Sequence, residues 1–170
     1  ENHLDKSNRD NGYQMIFLAK NKNGFRNLSK LSSIANIEGF YYVPRIDKKI
    51  LKEYSEDIVV LSGGLSGEIS SKILNQGEEK AEESLAWWKD TFGSDFYLEI
   101  QRHNQENEDY IIPIIKEFST KYDIKIIATN NTFYTTKTEA NAHDILLCVR
   151  EGEKQSVPIG KGRGFRYGLP

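Results

Sequence analysis

The residues with the strongest metal-binding or catalytic chemistry are three histidines and one cysteine. His3, His103 and His143 are spread along the chain without an H-x-H or H-E-x-x-H pairing. A zinc site requires three or four converging nitrogen, sulfur or carboxylate ligands. Cys148 is the single cysteine, which excludes a disulfide framework and a cysteine-rich zinc site. We therefore interpret the histidines as solvated or structural, and the cysteine content as typical of a reducing, cytoplasmic compartment.

A glycine-rich turn is the next candidate for chemistry. Residues 62–68 read Ser-Gly-Gly-Leu-Ser-Gly-Glu and lie between an apolar run and a helical pattern. Free N–H groups at such a turn can bind a phosphate. The turn lacks the G-x-G-x-x-G and G-x-x-x-x-G-K-[ST] spacings of known phosphate-binding loops. Since glycines at turns commonly serve backbone conformation alone, we favour that role over phosphate binding.

The C-terminal residues carry a basic cluster. Lys161, Arg163 and Arg166 are interleaved with glycines and with Phe165 and Tyr167. Basic residues alternating with aromatics can follow a phosphate backbone and stack on bases. A short charged tail is more often a solvated link, so a weak nucleic-acid contact and a plain linker both stay open.

Composition limits what kind of protein carries these residues. The chain has 170 residues, a net charge of -2 and 38% hydrophobic residues, which fits one domain with a real core. The longest apolar runs, such as residues 58–61, are far too short to span a bilayer. A near-neutral charge argues against a freestanding nucleic-acid binder. The first residue is Glu1 rather than Met, and we interpret both ends as cuts through a longer polypeptide.

Four apolar segments predict the strands that must position the candidate residues. They begin near Met15, Ile58, Phe96 and Ile124, and each is followed by apolar residues at helical spacing. Three of the four runs are continuous rather than alternating, which is typical of strands buried on both faces. The order strand–helix, repeated four times, therefore predicts an α/β fold with a parallel sheet and helices packed outside it.

Helical periodicity predicts which residues face the core. In the helix before the third strand, one apolar stripe is formed by Ala81, Leu85, Trp88 and Phe92.

Pro113 should kink the next helix or delay its start. Thr136 and Glu139 have capping-box spacing, and Gly152 should end the helix behind them. The predicted buried face of that last helix consists of Ala142, Ile145, Leu146 and Val149.

Six short segments occur in a specific order and spacing: residues 17–21, 24–28, 44–47, 61–69, 96–103 and 128–130. Together they resemble the N-terminal polymerase-and-histidinol-phosphatase (PHP) domain of bacterial replicative DNA polymerase III alpha subunits. The resemblance implies a seven-stranded βα barrel of which this chain holds the later strands. It implies a partial PHP domain over residues 1–152 and a basic, glycine-rich link toward the polymerase palm over residues 153–170.

The resemblance also implies what the parent protein does. Its palm aspartates, which hold magnesium for nucleotidyl transfer in DNA replication, would follow Pro170, so this chain would carry neither that cofactor nor polymerase catalysis. The implied partners are the rest of the polymerase chain, other replicative holoenzyme subunits such as a proofreading exonuclease subunit, and DNA through the parent. A cytoplasmic location and no membrane contact are expected.

Four positions depart from the family's metal site. Where metal-binding members carry ligands, this chain has Gln14, Gly64, Asn131 and Phe133. Glycine and phenylalanine offer no ligand atom, and neutral amides are poor ligands for divalent transition metals. We therefore expect no bound metal and no catalytic residue, with Phe133 filling the space of the lost histidine as an apolar plug.

Three hypotheses follow, and they predict different observations. The leading one is a non-catalytic scaffold within a DNA polymerase. The second is an active metal-dependent phosphoesterase or proofreading domain, which would need metal at the four altered positions. The third is a small-molecule βα-barrel enzyme, which a basic pocket at the carboxyl ends of the strands would favour. An unclosed barrel would also leave a sheet edge that favours self-association.

Overall fold

The computed structural model describes residues 2–7 and 12–158, where four strands alternate with six α-helices. The elements are β1 Ile16–Ala19, α1 Lys22–Ile37, α2 Lys48–Glu53, β2 Ile58–Leu61, α3 Glu68–Gln76, α4 Glu78–Phe92, β3 Phe96–Ile100, α5 Glu106–Tyr122, β4 Ile126–Ala128 and α6 Ala140–Glu151. The chain divides into unit 1, Glu1–Thr129, and unit 2, Asn130–Pro170. The predicted α/β class is confirmed, while the predicted boundary after residue 152 lies within unit 2 and stays a prediction.

One sheet in the order β1-β2-β3-β4 forms the centre of unit 1. β2, β3 and β4 are parallel, but β1 runs antiparallel to β2, with Ile16 opposite Leu61 and Ala19 opposite Ile58. The prediction of an all-parallel sheet is therefore wrong for β1. β2 begins opposite Ala19, the last residue of β1. After α1, residues 38–47 and α2 therefore bring the chain to that end of the sheet before β2 starts.

The two faces of the sheet differ in burial. One face packs against the helices and supplies much of the core, through Phe17, Ile58, Val60, Phe96 and Leu98. On the opposite face the residues of the two outer strands, Ile16, Leu18 and Ile127, are 40%, 51% and 36% exposed, while Glu99 of the central strand β3 is buried. The prediction that β1 is a fully buried strand is wrong, because β1 is an edge strand and only one of its faces is covered.

The aromatic stripe of α4 anchors the helices to the covered face. Ala81, Leu85, Trp88 and Phe92 are all buried, as the sequence periodicity predicted. The Trp88 ring stacks on Phe92 and on Phe96 of β3, with centroid distances of 5.8 and 5.9 Å. This stack joins helix to sheet at the centre of the core.

Helix α5 contains a proline in its interior without a delayed start. The helix begins at Glu106, and Pro113 lies in its middle. A capping box formed by Gln105 and Glu108 satisfies backbone donors at the N-terminus. That cap sets the first turn well before the proline, so the delayed start proposed from the sequence is wrong.

In unit 2 the predicted capping box is present but caps a 3-10 turn before α6, and the buried face of α6 is not the predicted one. Thr136 and Glu139 form the box around the turn Lys137–Glu139, and Gly152 ends α6 with φ 66. The predicted face is exposed, with Ile145, Leu146 and Val149 at 45%, 63% and 74%. The buried residues are instead Ala140, Asp144, Leu147 and Cys148. Both sets repeat at helical spacing, so periodicity alone could not choose between them.

Candidate functional site

The carboxyl ends of β2, β3 and β4 bring polar side chains to one edge of the sheet. Ser62 directly follows β2, Gln101 follows β3 and Thr129 follows β4. Because these strands are parallel, the three residues lie at the same edge, where α/β sheets usually bind ligands. This edge is the candidate site of unit 1.

Glu99 lies at the centre of this edge and is only 1% exposed. Its Oε1 accepts hydrogen bonds from Gln101 Nε2 at 2.9 Å and from Thr129 Oγ1. Its backbone N–H donates to Ser62 Oγ at 2.8 Å. Among the described residues, Oε2 of Glu99 has no hydrogen-bond partner. Among the described residues, the side chains that bond to the carboxylate are therefore neutral and not cationic.

The glycine turn places backbone rather than side chains at this edge. Gly63 has φ 76, a left-handed conformation that glycine adopts without strain. A Cβ at Gly67 would lie 1.9 Å from the carbonyl oxygen of Ser62. A Cβ at Gly64 would lie 2.6 Å from Gln101 Oε1, so the Gln101 amide occupies the space that a side chain at position 64 requires.

The altered family positions are distributed over both units. In unit 1, Gln14 is exposed and its backbone N–H donates to Ser66 O at 3.0 Å. In unit 2, Asn131 is exposed, while Phe133 is 52% exposed and stacks on the His143 ring at 5.0 Å. The expectation that Phe133 forms a buried apolar plug is therefore wrong.

These residues do not fit the divalent metal cluster of the family. Gly64 and Phe133 supply no donor atom, and Gln14 and Asn131 supply only neutral amides. In residues 2–7 and 12–158, no group of three or more His, Cys, Asp or Glu side chains is arranged to hold a metal ion. The predicted basic contacts, Lys161, Arg163 and Arg166, lie outside the described residues.

Two of the histidines have structural partners. Nδ1 of His3 lies 2.7 Å from Asp47 Oδ2, and Nδ1 of His103 lies 2.8 Å from Glu108 Oε1. Burial opposes ionisation of both carboxyls. At Asp47, hydrogen bonds from the Ile50 N–H and from His3 outweigh the effect of burial and lower the pKa. At Glu108, hydrogen bonds from the backbone N–H and the ring of His103 do the same. Both histidines thus have carboxylate partners within unit 1, and the interpretation that they are structural stays a prediction.

A buried charge cluster at the start of α3 was not predicted from the sequence. Glu68 is 5% exposed, and its Oε1 accepts hydrogen bonds from Lys48 and Ser84 at 2.9 and 3.0 Å. Lys72 Nζ lies 2.9 Å from the same oxygen, and Trp88 Nε1 donates to Oε2 at 2.7 Å. Burial favours the neutral acid, but Lys48 and Lys72 overcome it and lower the pKa of Glu68. Glu68 thereby ties together α2, α3 and α4.

The sequence contains only weak signals for the roles of Glu68 and Gln101, which were not predicted. Glu68 and Lys72 have the i, i+4 spacing of a helical ion pair, which is common on solvated helices. Gln101 continues the polar alternation of β3, which predicts exposure and not a contact with Gly64 or Thr129. Both roles depend on elements far apart in sequence, so local patterns could not show them.

The fold and this edge define an α/β protein built as part of a βα barrel, with polar residues at the carboxyl ends of its parallel strands. The family model of the PHP domain matches residues 2–103, which is more than half of the chain. The chain therefore belongs to the PHP domain family.

Similar proteins extend the match beyond residue 103. The chain is 41% identical over 144 residues to the DNA polymerase III subunit alpha of Borreliella burgdorferi, covering 85% of this chain and 13% of that protein. It is 40% identical over 164 residues to the subunit of Campylobacter jejuni, covering 91% and 14%. For Thermus aquaticus the identity is 39% over 142 residues, covering 83% and 12%. The chain thus spans about an eighth of the length of these relatives.

No helix within the described ranges combines the length and apolarity needed to cross a bilayer.

Proposed function

We propose that this chain is a non-catalytic scaffold portion of the alpha subunit of a bacterial replicative DNA polymerase. The parent protein would carry out template-directed DNA synthesis, a nucleotidyl transfer. The observation that carries this proposal is the 40% identity to a DNA polymerase III subunit alpha across 91% of the chain. An enzyme of small-molecule metabolism would not share its sequence with a polymerase subunit along nearly its whole length.

The proposed absence of catalysis rests on the chemistry of the sheet edge. Phosphoester hydrolysis at a metal cluster requires ligands that bind the metals and a metal-activated water. The Gln101 amide fills the space beside Gly64, and neutral side chains hold Oε1 of Glu99. Phe133 offers no ligand atom. In this proposal, magnesium for nucleotidyl transfer belongs to another part of the parent, and this chain binds no cofactor.

The proposed partners follow from the proposed parent. The chain would contact the remainder of the polymerase polypeptide and other holoenzyme subunits in the cytoplasm, including a proofreading exonuclease subunit. DNA would be reached through the parent. The basic residues Lys161, Arg163 and Arg166 would join the domain to the palm and add a weak contact to the phosphate backbone.

Two assays test this proposal. The full-length protein that carries this segment should extend a primed DNA template. The 170-residue chain, supplied with manganese or zinc, should hydrolyse phosphomonoesters and DNA ends no faster than its Glu99→Gln variant. Metal-dependent hydrolysis that Glu99→Gln abolishes would overturn the scaffold role in favour of a phosphoesterase, and a full-length protein without DNA synthesis would overturn the proposed parent.

A further inference from the structure

Helix α1 carries three basic residues and no acidic residue. Lys22, Arg26 and Lys30 recur every four residues within Lys22–Ile37, although the whole chain has a net charge of -2. At this spacing the side chains lie on one side of the helix, and the three charges extend over about 12 Å of its axis. We call this side, with the exposed residues between the cations, the basic side of α1.

The basic side of α1 points away from the sheet. Leu31 and Ala35 turn the other side of the helix toward the core and are buried. Lys22, Arg26 and Lys30 are all exposed. Further strands of a βα barrel extend the sheet at its edges, and their helices lie beside α1 in the outer layer. Strands that complete a barrel would therefore not cover the outward side of α1.

Within residues 2–7 and 12–158, no carboxylate forms an ion pair with these three cations. Asp57, an acidic residue beside the first turn of α1, accepts a hydrogen bond from Asn23 Nδ2 at 2.9 Å. Lys30 Nζ lies 5.3 Å from the centroid of the Tyr54 ring, a contact that leaves its positive charge without a counterion. The helix therefore presents a positive field that attracts an anionic partner.

Phe25 adds an exposed aromatic ring to the basic side of α1. It is 65% exposed, and it lies one turn from Lys22 and next to Arg26 in the sequence. On the same side, the hydroxyls of Ser29 and Ser33 donate to helix carbonyl oxygens four residues earlier, both at 2.9 Å. Because these serines are small and bonded to the helix itself, they leave the ring and the cations accessible.

Cations beside an exposed ring fit a single strand of nucleic acid. The cations can contact phosphates, and the ring can stack on an unpaired base, whose face a duplex hides within its own stack. A strand with one negative charge per nucleotide complements a row of cations, whereas an apolar protein surface would bury their charges without a partner.

We propose that the basic side of α1 binds single-stranded DNA, with Lys22, Arg26 and Lys30 on phosphates and Phe25 on one base. The inference rests on the proposed function, since template-directed synthesis uses an unpaired template strand, and it adds a contact surface separate from the C-terminal basic residues. Three phosphate contacts and one stacked base make a contact that is weak by itself and falls steeply with salt.

Fluorescence anisotropy of a labelled strand of about 20 thymidines, titrated with the 170-residue chain, tests the proposal. The chain carries Lys161→Ala, Arg163→Ala and Arg166→Ala, so that the C-terminal cations do not contribute. Binding is expected at low salt, and three phosphate contacts predict that the logarithm of the affinity falls against that of the salt concentration with a slope of about -2.

Two variants in this background test the named contacts. Arg26→Glu puts a negative charge at the centre of the row and should weaken binding at least about tenfold. Phe25→Ala removes the stacking ring and should weaken binding at least about fivefold. No binding at low salt, or an affinity that either variant leaves unchanged, would overturn the proposal.

Lys116→Glu on α5 is the matched control. Lys116 is exposed, and its replacement makes the same change in net charge at another helix of unit 1, so the affinity should stay nearly unchanged. An equal loss of affinity in Lys116→Glu and Arg26→Glu would show that net charge alone governs binding and would overturn the proposal. These measurements involve no DNA synthesis, so their failure would leave the proposed parent, which primer extension tests, unaffected.

Discussion

At the scale of single residues, the altered site could be predicted from the sequence only in part. The absence of a ligand atom at Gly64 and Phe133 is visible in the residue types themselves. The side chain that lies beside Gly64 is not, because Gln101 reaches it from the end of the neighbouring strand. The fate of Phe133 also required the structure, which shows its ring on His143 and half exposed. Residue types thus predict which positions lack a metal-ligating atom, while tertiary contacts determine which side chains lie beside those positions.

The buried carboxylate of Glu68 gives the first prediction. Glu68→Ala leaves Lys48, Lys72 and Trp88 without their shared acceptor in a site that is 5% exposed. Breaking a buried, hydrogen-bonded ion pair typically costs about 3–5 kcal/mol, so we expect the free energy of unfolding to fall by about 3 kcal/mol. Urea unfolding followed by tryptophan fluorescence measures this change.

The control for this prediction is Glu83→Ala on the exposed side of α4. Glu83 pairs with Lys80 at 2.8 Å, but both side chains are more than half exposed. Exposed ion pairs contribute little, so the unfolding midpoint should be nearly unchanged. An equal loss of stability in the two variants would contradict a special role for Glu68.

The pH dependence of stability provides a second prediction for the same residue. The pKa of Glu68 is lower in the folded protein than its ordinary value, because two lysines and Trp88 outweigh the effect of burial. A carboxyl with a lowered folded pKa stabilises the protein above its unfolded pKa of about 4.3, and this stabilisation is lost as the pH falls through the folded value. Unfolding free energies from pH 6 down to about pH 3 should therefore fall more steeply for the original chain than for Glu68→Gln. Parallel curves would show that Glu68 does not titrate as proposed.

At the scale of helices and strands, periodicity predicted which elements exist better than how they are oriented. The alternation of the four strands with helices and the buried stripe of α4 follow from apolar spacing. The direction of β1 does not, because it depends on the route of residues 38–47 between α1 and β2. The buried face of α6 does not either, since apolar residues occur on two sides of that helix and the side that is buried also includes the charged Asp144.

A substitution at Gly24 gives a prediction about how α1 packs against its neighbours. It lies in the first turn of α1, where a Cβ would be 2.1 Å from the carbonyl oxygen of Asp57. In a free helix Gly→Ala stabilises, but here the new methyl group must push α1 away from the turn before β2. We expect Gly24→Ala to lower the free energy of unfolding by about 1–3 kcal/mol. Thermal unfolding followed by circular dichroism measures the effect.

The matched control on the same helix is Ser33→Ala. Ser33 is exposed, and alanine has the higher helix propensity, so this variant should be neutral or slightly stabilised. If Gly24→Ala were also stabilised, helix propensity would outweigh the close approach to Asp57, and the described packing of α1 would be incorrect.

At the scale of the whole molecule, the two units differ in how much apolar surface they bury. In unit 1, α4 has a stripe of residues that are no more than 7% exposed, packed against the sheet. In unit 2, α6 leaves Ile145, Leu146 and Val149 largely exposed. Composition predicted a core of ordinary size but could not show that it is concentrated before residue 130.

Hydrogen exchange should show this difference directly. Amides of α4 can exchange only when the core of unit 1 opens, whereas α6 has fewer buried contacts that resist local opening. We expect α4 to exchange at least ten times more slowly than α6, a difference of about 1.4 kcal/mol in opening free energy. Equal protection of the two helices, measured by mass spectrometry of peptides, would contradict the description of unit 2.

The most direct test of the central claim, that the PHP metal site has lost its function, is the metal content of the protein. The chain is purified without chelator, incubated with manganese or zinc, separated from free ions and analysed by mass spectrometry of its metals. We predict that no metal remains in stoichiometric amount, because Gly64 and Phe133 offer no ligand atom and the Gln101 amide fills the space beside Gly64. One or more equivalents of tightly bound metal, lost in a Glu99→Gln variant, would contradict the claim.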